Sequence, residues 1–201
     1  RCWIIDPLDG TTNYSHHHPF YCVSAGLLAE EGPIAAVTHA PVLGKTWWAI
    51  QSCGCWCRDV ASKSQFQVKI EPVENLAESL LATGFSYQRQ ELDHGALEVF
   101  ETLLRQAREI RRGGSACLDL AHTASGIFQG FWEFHLAPHD VVAGALLVRE
   151  AGGVVTDSTG GDDWLTGGSI VAATSGLHPV LLEAVRSATP PEVYGGEREN
   201  R

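Results

Sequence analysis

Methionine is missing from this sequence altogether, the initiator included, so its 201 residues read as a piece of a longer protein. Basic residues are also scarce: 14 Lys and Arg stand against 24 Asp and Glu, a formal charge of -10. That balance argues against nucleic acid as a partner, because backbone phosphates are bound by clustered cations. No apolar run approaches the ~18 residues that cross a bilayer, so no membrane association is expected. No signal peptide is recognisable, and the protein is read as cytoplasmic. There is no internal repeat.

Paired cysteine spacing is lacking too. Cys53, Cys55 and Cys57 alternate through SCGCWCRD, whereas structural zinc takes four ligands in CxxC-like pairs. In a strand the three would share one face, as a packed or edge stripe of thiols. Cys2, Cys22 and Cys117 lie among apolar residues and read as core. All six are expected to be reduced.

What is present is enough apolar content, 44%, to build one globular α/β domain, expected over residues 1–188. The segment from Thr189 onward is Pro, Gly and charge, and reads as a disordered tail.

Residues 4–13, IIDPLDGTTN, carry the most chemistry. Trp3, Ile4 and Ile5 read as the end of a buried strand. Pro7 then stops the strand and fixes φ, so Asp6 and Asp9 converge on one side of a tight turn. Two hard oxygen ligands so close suit Mg²⁺, which leaves room for water and phosphate. Gly10 permits close backbone approach, and Thr11 and Thr12 open a helix whose N-terminus suits an anion. The same residues are also good turn chemistry, and on their own they leave both readings open.

A second segment, GFWEFHLAPHDVVAGALLVREAGGVVTD from Gly130 to Asp157, bears on the choice. Phe131 to Leu136 alternate as a strand. From Pro138, apolar residues at Val141, Val142, Ala145, Leu146, Val148 and Ala151 follow a helical period. Gly152 and Gly153 end that helix, and Val154 to Thr156 begin another strand. Asp140 thus falls in a first helical turn, where a carboxylate complements the helix dipole. Beside the first motif, it becomes a candidate third metal ligand from a distant part of the chain.

The segments DPLDGTTNYSHHHPFYCVSAGLL and PHDVVAGALLVREAGGVVTD resemble the two signature regions of the inositol monophosphatase family. Their order, and the stretch between and after them to about Val185, resemble it as well. The resemblance implies a layered αβαβα sandwich of α/β class and Mg²⁺-dependent hydrolysis of a small phosphate monoester. Carried over by position, Asp6 would bridge two metals, the carbonyl of Leu8 would bind the first, and Asp9 and Asp140 the second. Gly10 and Thr11 would hold phosphate, with Thr11 also orienting the attacking water. The turn Gly113-Gly114-Ser115-Ala116 resembles the family's second helix start beside the substrate, so Gly114, Ser115 and Ala116 are candidate substrate contacts. Glu133 matches a carboxylate that contacts a substrate hydroxyl. Family members commonly form homodimers.

The chain departs from the family at three places. It begins at Arg1, after the point where the family carries a Gly-Glu-Glu segment supplying a ligand to the first metal. The fold is therefore expected without its N-terminal elements, and activity is assigned to the parent protein. His17 takes a place usually held by Gly, creating a His16-His17-His18 run read as surface. His139 stands where the family usually has Trp, and an imidazole there can modulate the site.

Within the family, Thr12-Asn13 favours inositol monophosphate or another polyol phosphate. Histidinol phosphate and other sugar or nucleotide phosphates are alternatives. A haloacid-dehalogenase-type phosphatase would use Asp6 as a nucleophile, but its motif separates the two acids by one residue, not two. A non-catalytic phosphate-binding role is the third class. Ala137 and the residues around Phe85 and Ser86 are expected to shape substrate choice. For the remainder, residues 20–29, 33–39 and 45–51 read as a strand meander. A turn or short helix over 73–81 leads into a strand, 91–108 read as a helix, and Ile110 as a short strand. Helices over 115–128 and 177–185 flank a strand at 170–173.

Overall fold

The structure, a computed structural model, describes residues 1–85 and 95–188. Alternation of small or apolar residues with polar ones over the first third produces a six-stranded antiparallel meander. Its strands are β1 (Cys2–Asp9), β2 (Cys22–Ala29), β3 (Gly32–Ala40), β4 (Lys45–Ile50), β5 (Cys55–Asp59) and β6 (Ser64–Val68), in sequence order. A five-residue helix, α1 (Thr11–Ser15), hangs between β1 and β2.

The second sheet is mixed: β7 (Leu80–Thr83), β8 (Glu109–Arg111), β9 (Gly130–Phe134), β10 (Val154–Thr156) and β11 (Ser169–Ala173) take the order β10-β11-β9-β7-β8. Among the described residues, only the pairs involving β7 are parallel. Two helices, α3 (Ala116–Ala124) and α4 (Pro138–Glu150), lie between the sheets. They approach closely because small residues face the contact. A Cβ on Gly26 would sit 2.9 Å from Val142, and one on Gly144 2.5 Å from Leu120. Two more helices, α2 (Ala96–Leu104) and α5 (His178–Ala188), cover the far side of the second sheet through Val99, Leu103, Leu181 and Val185. The layers are thus β, α, β, α, with an α/β core between the sheets and a second core under α2 and α5.

Several expectations are corrected. Pro7 does not end the first strand, because β1 is an edge strand whose proline needs no partner for its missing N–H, and a register shift between Asp6 and Asp9 absorbs the irregularity. Trp3 and Ile5 are not buried but 57% and 53% exposed, on the sheet face away from α4. Cys2 is likewise exposed, at the sheet edge. Of the alternating thiols, Cys55 and Cys57 are buried on β5, while Cys53 is exposed in the preceding turn. Strand β6 went unforeseen because Ser64, Gln65 and Gln67 are polar, Phe66 is exposed, and Val68 at its end is the one buried residue. Helix α3 stops at Ala124, short of Phe128, and Gly126 follows at φ +70°.

His17 adopts φ +58°, the left-handed region that glycine favours, and the whole His16–His18 run is exposed. All six cysteines are free. No helix among the described residues is long and apolar enough to cross a membrane. Ser86, residues 91–94 and the segment from Thr189 onward lie outside the described residues.

Candidate active site

Asp6, near the end of β1, is 8% exposed and faces α4. Its Oδ1 accepts the Leu8 N–H at 2.9 Å, which holds the Pro7 turn and leaves the second oxygen for another partner. The Leu8 carbonyl in turn accepts the Thr11 hydroxyl at 3.0 Å. Gly10 then enters α1 at φ +84°, where a Cβ would lie 2.8 Å from the Phe20 carbonyl. Only glycine meets both demands.

Asp9 is held from the other side of the chain. Its Oδ2 accepts the Ser115 hydroxyl at 2.6 Å and the Cys117 N–H at 2.8 Å, both at the start of α3. Burial nevertheless pushes the Asp9 carboxyl above the usual range; those two bonds oppose the rise, while the charges of Asp6 and Asp140 add to it. Asp140, the third residue of α4, caps its own helix: Oδ2 accepts the Ala137 N–H at 2.7 Å. Its pKa is also raised, by burial and by Asp6, against the Ala137 N–H and His139. Helix capping and metal ligation are therefore compatible here, since one oxygen does the first and leaves the other free for the second.

Three acids from two remote segments thus converge. The donor atoms of Asp6, His139 and Asp140 all lie within 4.8 Å of one another, as do those of Asp9, Cys22 and Cys117. The latter two thiols are fully buried, and the hydrogen bond to Cys22 together with burial pushes the Cys117 thiol well above its ordinary range. They form a buried floor under Asp9.

Beside the acids opens a cavity of about 130 Å³ lined by Asp9, Gly114, Ser115, Ala116, Glu133 and Asp140, and also by Gly84, Phe85, Arg112, Asp119, His135 and Leu136. Every expected substrate contact on α3 and β9 is on this wall. Gly10 and Thr11 lie at the α1 start, tied to the same wall by Asn13, whose Nδ2 donates to the carbonyls of Phe20 at 2.6 Å and Gly113 at 2.9 Å. Ser115 is 2% exposed, and its hydroxyl serves Asp9 and the Leu118 N–H, so its side chain positions other groups. Glu133 is pushed up to about 8 by burial and the nearby Asp140 and Asp9 charges. It packs so tightly against Gly84 that any Cβ there would overlap its carboxyl group.

Asp119 and Arg112 escaped the reading of the sequence. Asp119 is 1% exposed, its Oδ1 has no hydrogen-bond partner among the described residues, and burial, then Glu133 and Asp9, hold its carboxyl well above the usual range. The signal was an acid at the fourth residue of α3, which reads equally well as a dipole-complementing residue. Arg112 supplies the one guanidinium on the cavity wall among the described residues.

So many acids with raised pKa values and so little side-chain cation make a donor set that fits divalent metal ions. Such ions would relieve the mutual repulsion directly, and each of Asp6 and Asp140 has an oxygen uncommitted to backbone.

The sequence model of the inositol monophosphatase family matches residues 1–189. The chain belongs to that family. It is 39% identical over 183 residues to the putative Nus factor SuhB of Neisseria meningitidis, an alignment covering 91% of this chain and 68% of that one. It is 36% identical over 187 residues to the chloroplastic phosphatase IMPL1 of Arabidopsis thaliana, covering 93% of this chain but only 50% of that protein. The inositol monophosphatase structure from Anabaena superposes with a TM-score of 0.85 at 37% identity, over 94% of this chain and 75% of that one. The layered α/β architecture is the family's. Membership also sets aside the haloacid-dehalogenase alternative.

Proposed function

We propose that this protein is a Mg²⁺-dependent phosphate monoesterase acting on a small polyol phosphate, inositol monophosphate first among them. The convergence of Asp6, Asp9 and Asp140 beside the cavity carries this reading. A phosphate dianion would be repelled by these carboxylates, so a substrate of that charge fits only where cations intervene. Asp6 would bridge two ions, with the Leu8 carbonyl on the first and Asp9 and Asp140 on the second. Bound there, Mg²⁺ lowers the pKa of water and neutralises charge on the leaving oxygen.

The chain's own groups do the rest. The start of α1, at Gly10 and Thr11, presents backbone N–H groups to the phosphate, and the Thr11 hydroxyl orients the attacking water. Ser115 and the Cys117 N–H keep Asp9 in place. Gly114 and Ala116 give the polyol a smooth wall, and Glu133 contacts a ring hydroxyl. No side chain is needed as a covalent nucleophile: Asp6 already accepts the Leu8 N–H and is assigned to metal. A homodimer and a cytoplasmic site of action remain part of the proposal.

The test is a panel of phosphate monoesters given to the full-length protein with and without Mg²⁺. Turnover of inositol monophosphate that vanishes on chelation supports the reading. Phosphate release that survives chelation, or no release from any ester, overturns it.

A further inference from the structure

His139 offers something that the acids cannot. It occupies the second position of α4, directly before Asp140, and its side chain is half exposed at the mouth of the acid cluster. Its Nε2 stands 3.8 Å from Asp140 Oδ1, the oxygen that Asp140 does not use to cap its helix. Asp6 likewise keeps one oxygen beyond its bond to Leu8. The donors of the three residues are mutually within 4.8 Å. Ligands around one octahedral ion at about 2.1 Å stand about 3.0 Å apart when adjacent and about 4.2 Å when opposite. The three donors therefore span one coordination sphere with little adjustment.

We infer that His139 is a nitrogen ligand to the ion shared by Asp6 and Asp140, and that this site prefers Mn²⁺ and neighbouring transition ions to Mg²⁺. The inference rests on the metal-dependent reading of the same site and deepens it. An all-oxygen set suits Mg²⁺, whereas an imidazole adds a softer, directional donor from which transition ions gain more. Mg²⁺ also gives up bound water reluctantly, so a further protein ligand beyond the carboxylates favours it least. Placement at the helix start helps: α4 fixes the backbone of His139 and Asp140 together, so the imidazole and the carboxylate reach the ion from one rigid turn.

The experiment is Mn²⁺ binding to the metal-free full-length protein, followed by electron paramagnetic resonance with Mg²⁺ competition, alongside His139→Phe and His139→Gln. Pulsed measurements read ¹⁴N coupling to the bound Mn²⁺. The exposed His16–His18 run, present in all three proteins, is controlled by the comparison. Expected are ¹⁴N modulation in the parent that is lost in both variants, and a preference for Mn²⁺ over Mg²⁺ that falls at least tenfold. Circular dichroism confirms folding, which an exposed position should preserve, and agreement of the two variants guards against a defect in either one. Bound Mn²⁺ without ¹⁴N coupling, or an unchanged preference in the variants, overturns the inference. Phosphatase activity with Mg²⁺ alongside that result leaves the proposed function standing. Conversely, ¹⁴N coupling in a protein that hydrolyses no ester sinks the proposed function and not the ligand assignment.

Discussion

The Ser115 hydroxyl donates to Asp9 Oδ2 at 2.6 Å across 106 positions of sequence, fastening the first motif to the start of α3. Ser115 also caps that helix through the Leu118 N–H at 3.4 Å. Ser115→Ala removes both interactions and leaves a buried carboxylate oxygen with the Cys117 N–H alone. Stability is expected to fall by about 1–2 kcal/mol, the range for losing a cap or a charge-assisted bond. Because Asp9 then keeps only one of its two anchors, the Mg²⁺ concentration for half-maximal activity should rise about tenfold or more. Thermal unfolding and metal titration read the two effects separately; an unchanged metal requirement would show that Asp9 needs no such support.

Asp140→Asn separates the two duties of that side chain. The carboxamide oxygen can still accept the Ala137 N–H, so α4 keeps its cap, while the charge that would face a cation is gone. Turnover is expected to drop by roughly 10²-fold or more, in the range for removing one electrostatic partner of a transition state. The unfolding midpoint of the metal-free protein should hold or rise, since Asp6 loses a like-charged neighbour. Full activity in the variant would contradict the metal assignment.

How much of this was readable beforehand follows from how local each signal is. Asp6 and Asp9 announce themselves through Pro7 and Gly10, and Asp140 through the strand-to-helix change around Pro138, because turn and helix-start chemistry is written in neighbouring residues. The meander from 20 to 51 and helix α4 are legible for the same reason: their apolar residues recur at periods of two and 3.6. Which face of a strand is covered is not a local property. Trp3 and Ile5 look like core residues by type, yet they lie on the face of β1 turned away from α4. Asp119 and Arg112 matter only because α3 and the turn after β8 bring them to one cavity, and nothing adjacent in sequence marks either. The tie from Asn13 to Gly113 spans 100 positions and was invisible for that reason.

Metal-free protein should lose stability as pH rises through neutrality. Glu133 titrates near about 8 in the folded chain against an ordinary 4.5, so the native state holds a proton that the unfolded chain releases between those values. Stability therefore declines with rising pH across that window. The raised carboxyls of Asp9, Asp119 and Asp140 act in the same direction. His122 acts at the other end: burial holds it down to about 4 from 6.5, so its contribution is present above 6.5 and lost as pH falls towards 4. Unfolding midpoints of metal-free protein should peak on the acid side of neutrality. Glu133→Gln should flatten the alkaline slope, and saturating Mg²⁺ should stabilise more at pH 8 than at pH 5.5. An alkaline slope identical in the parent and in Glu133→Gln would show that Glu133 ionises freely.

Asn13 offers the sharpest test of how the two helix starts are held together. Its Nδ2 lies 2.6 Å from the Phe20 carbonyl and 2.9 Å from the Gly113 carbonyl, so one amide group joins α1 to the turn before α3. Asn13→Asp is nearly isosteric but cannot donate, and sets a carboxylate against two carbonyl oxygens. Loss of two partly buried bonds, with repulsion in their place, is expected to cost about 2–3 kcal/mol. The separation of α1 from α3 should also move Gly10 and Thr11, proposed to hold phosphate, away from Gly114 and Ala116, proposed to face the polyol. KM for the phosphate ester should then rise more than kcat falls if the ester is held by both helix starts as proposed, since the acids belong to β1 and α4. A variant with parental KM and reduced kcat would show that the tie serves the metal ligands and not the binding of the ester.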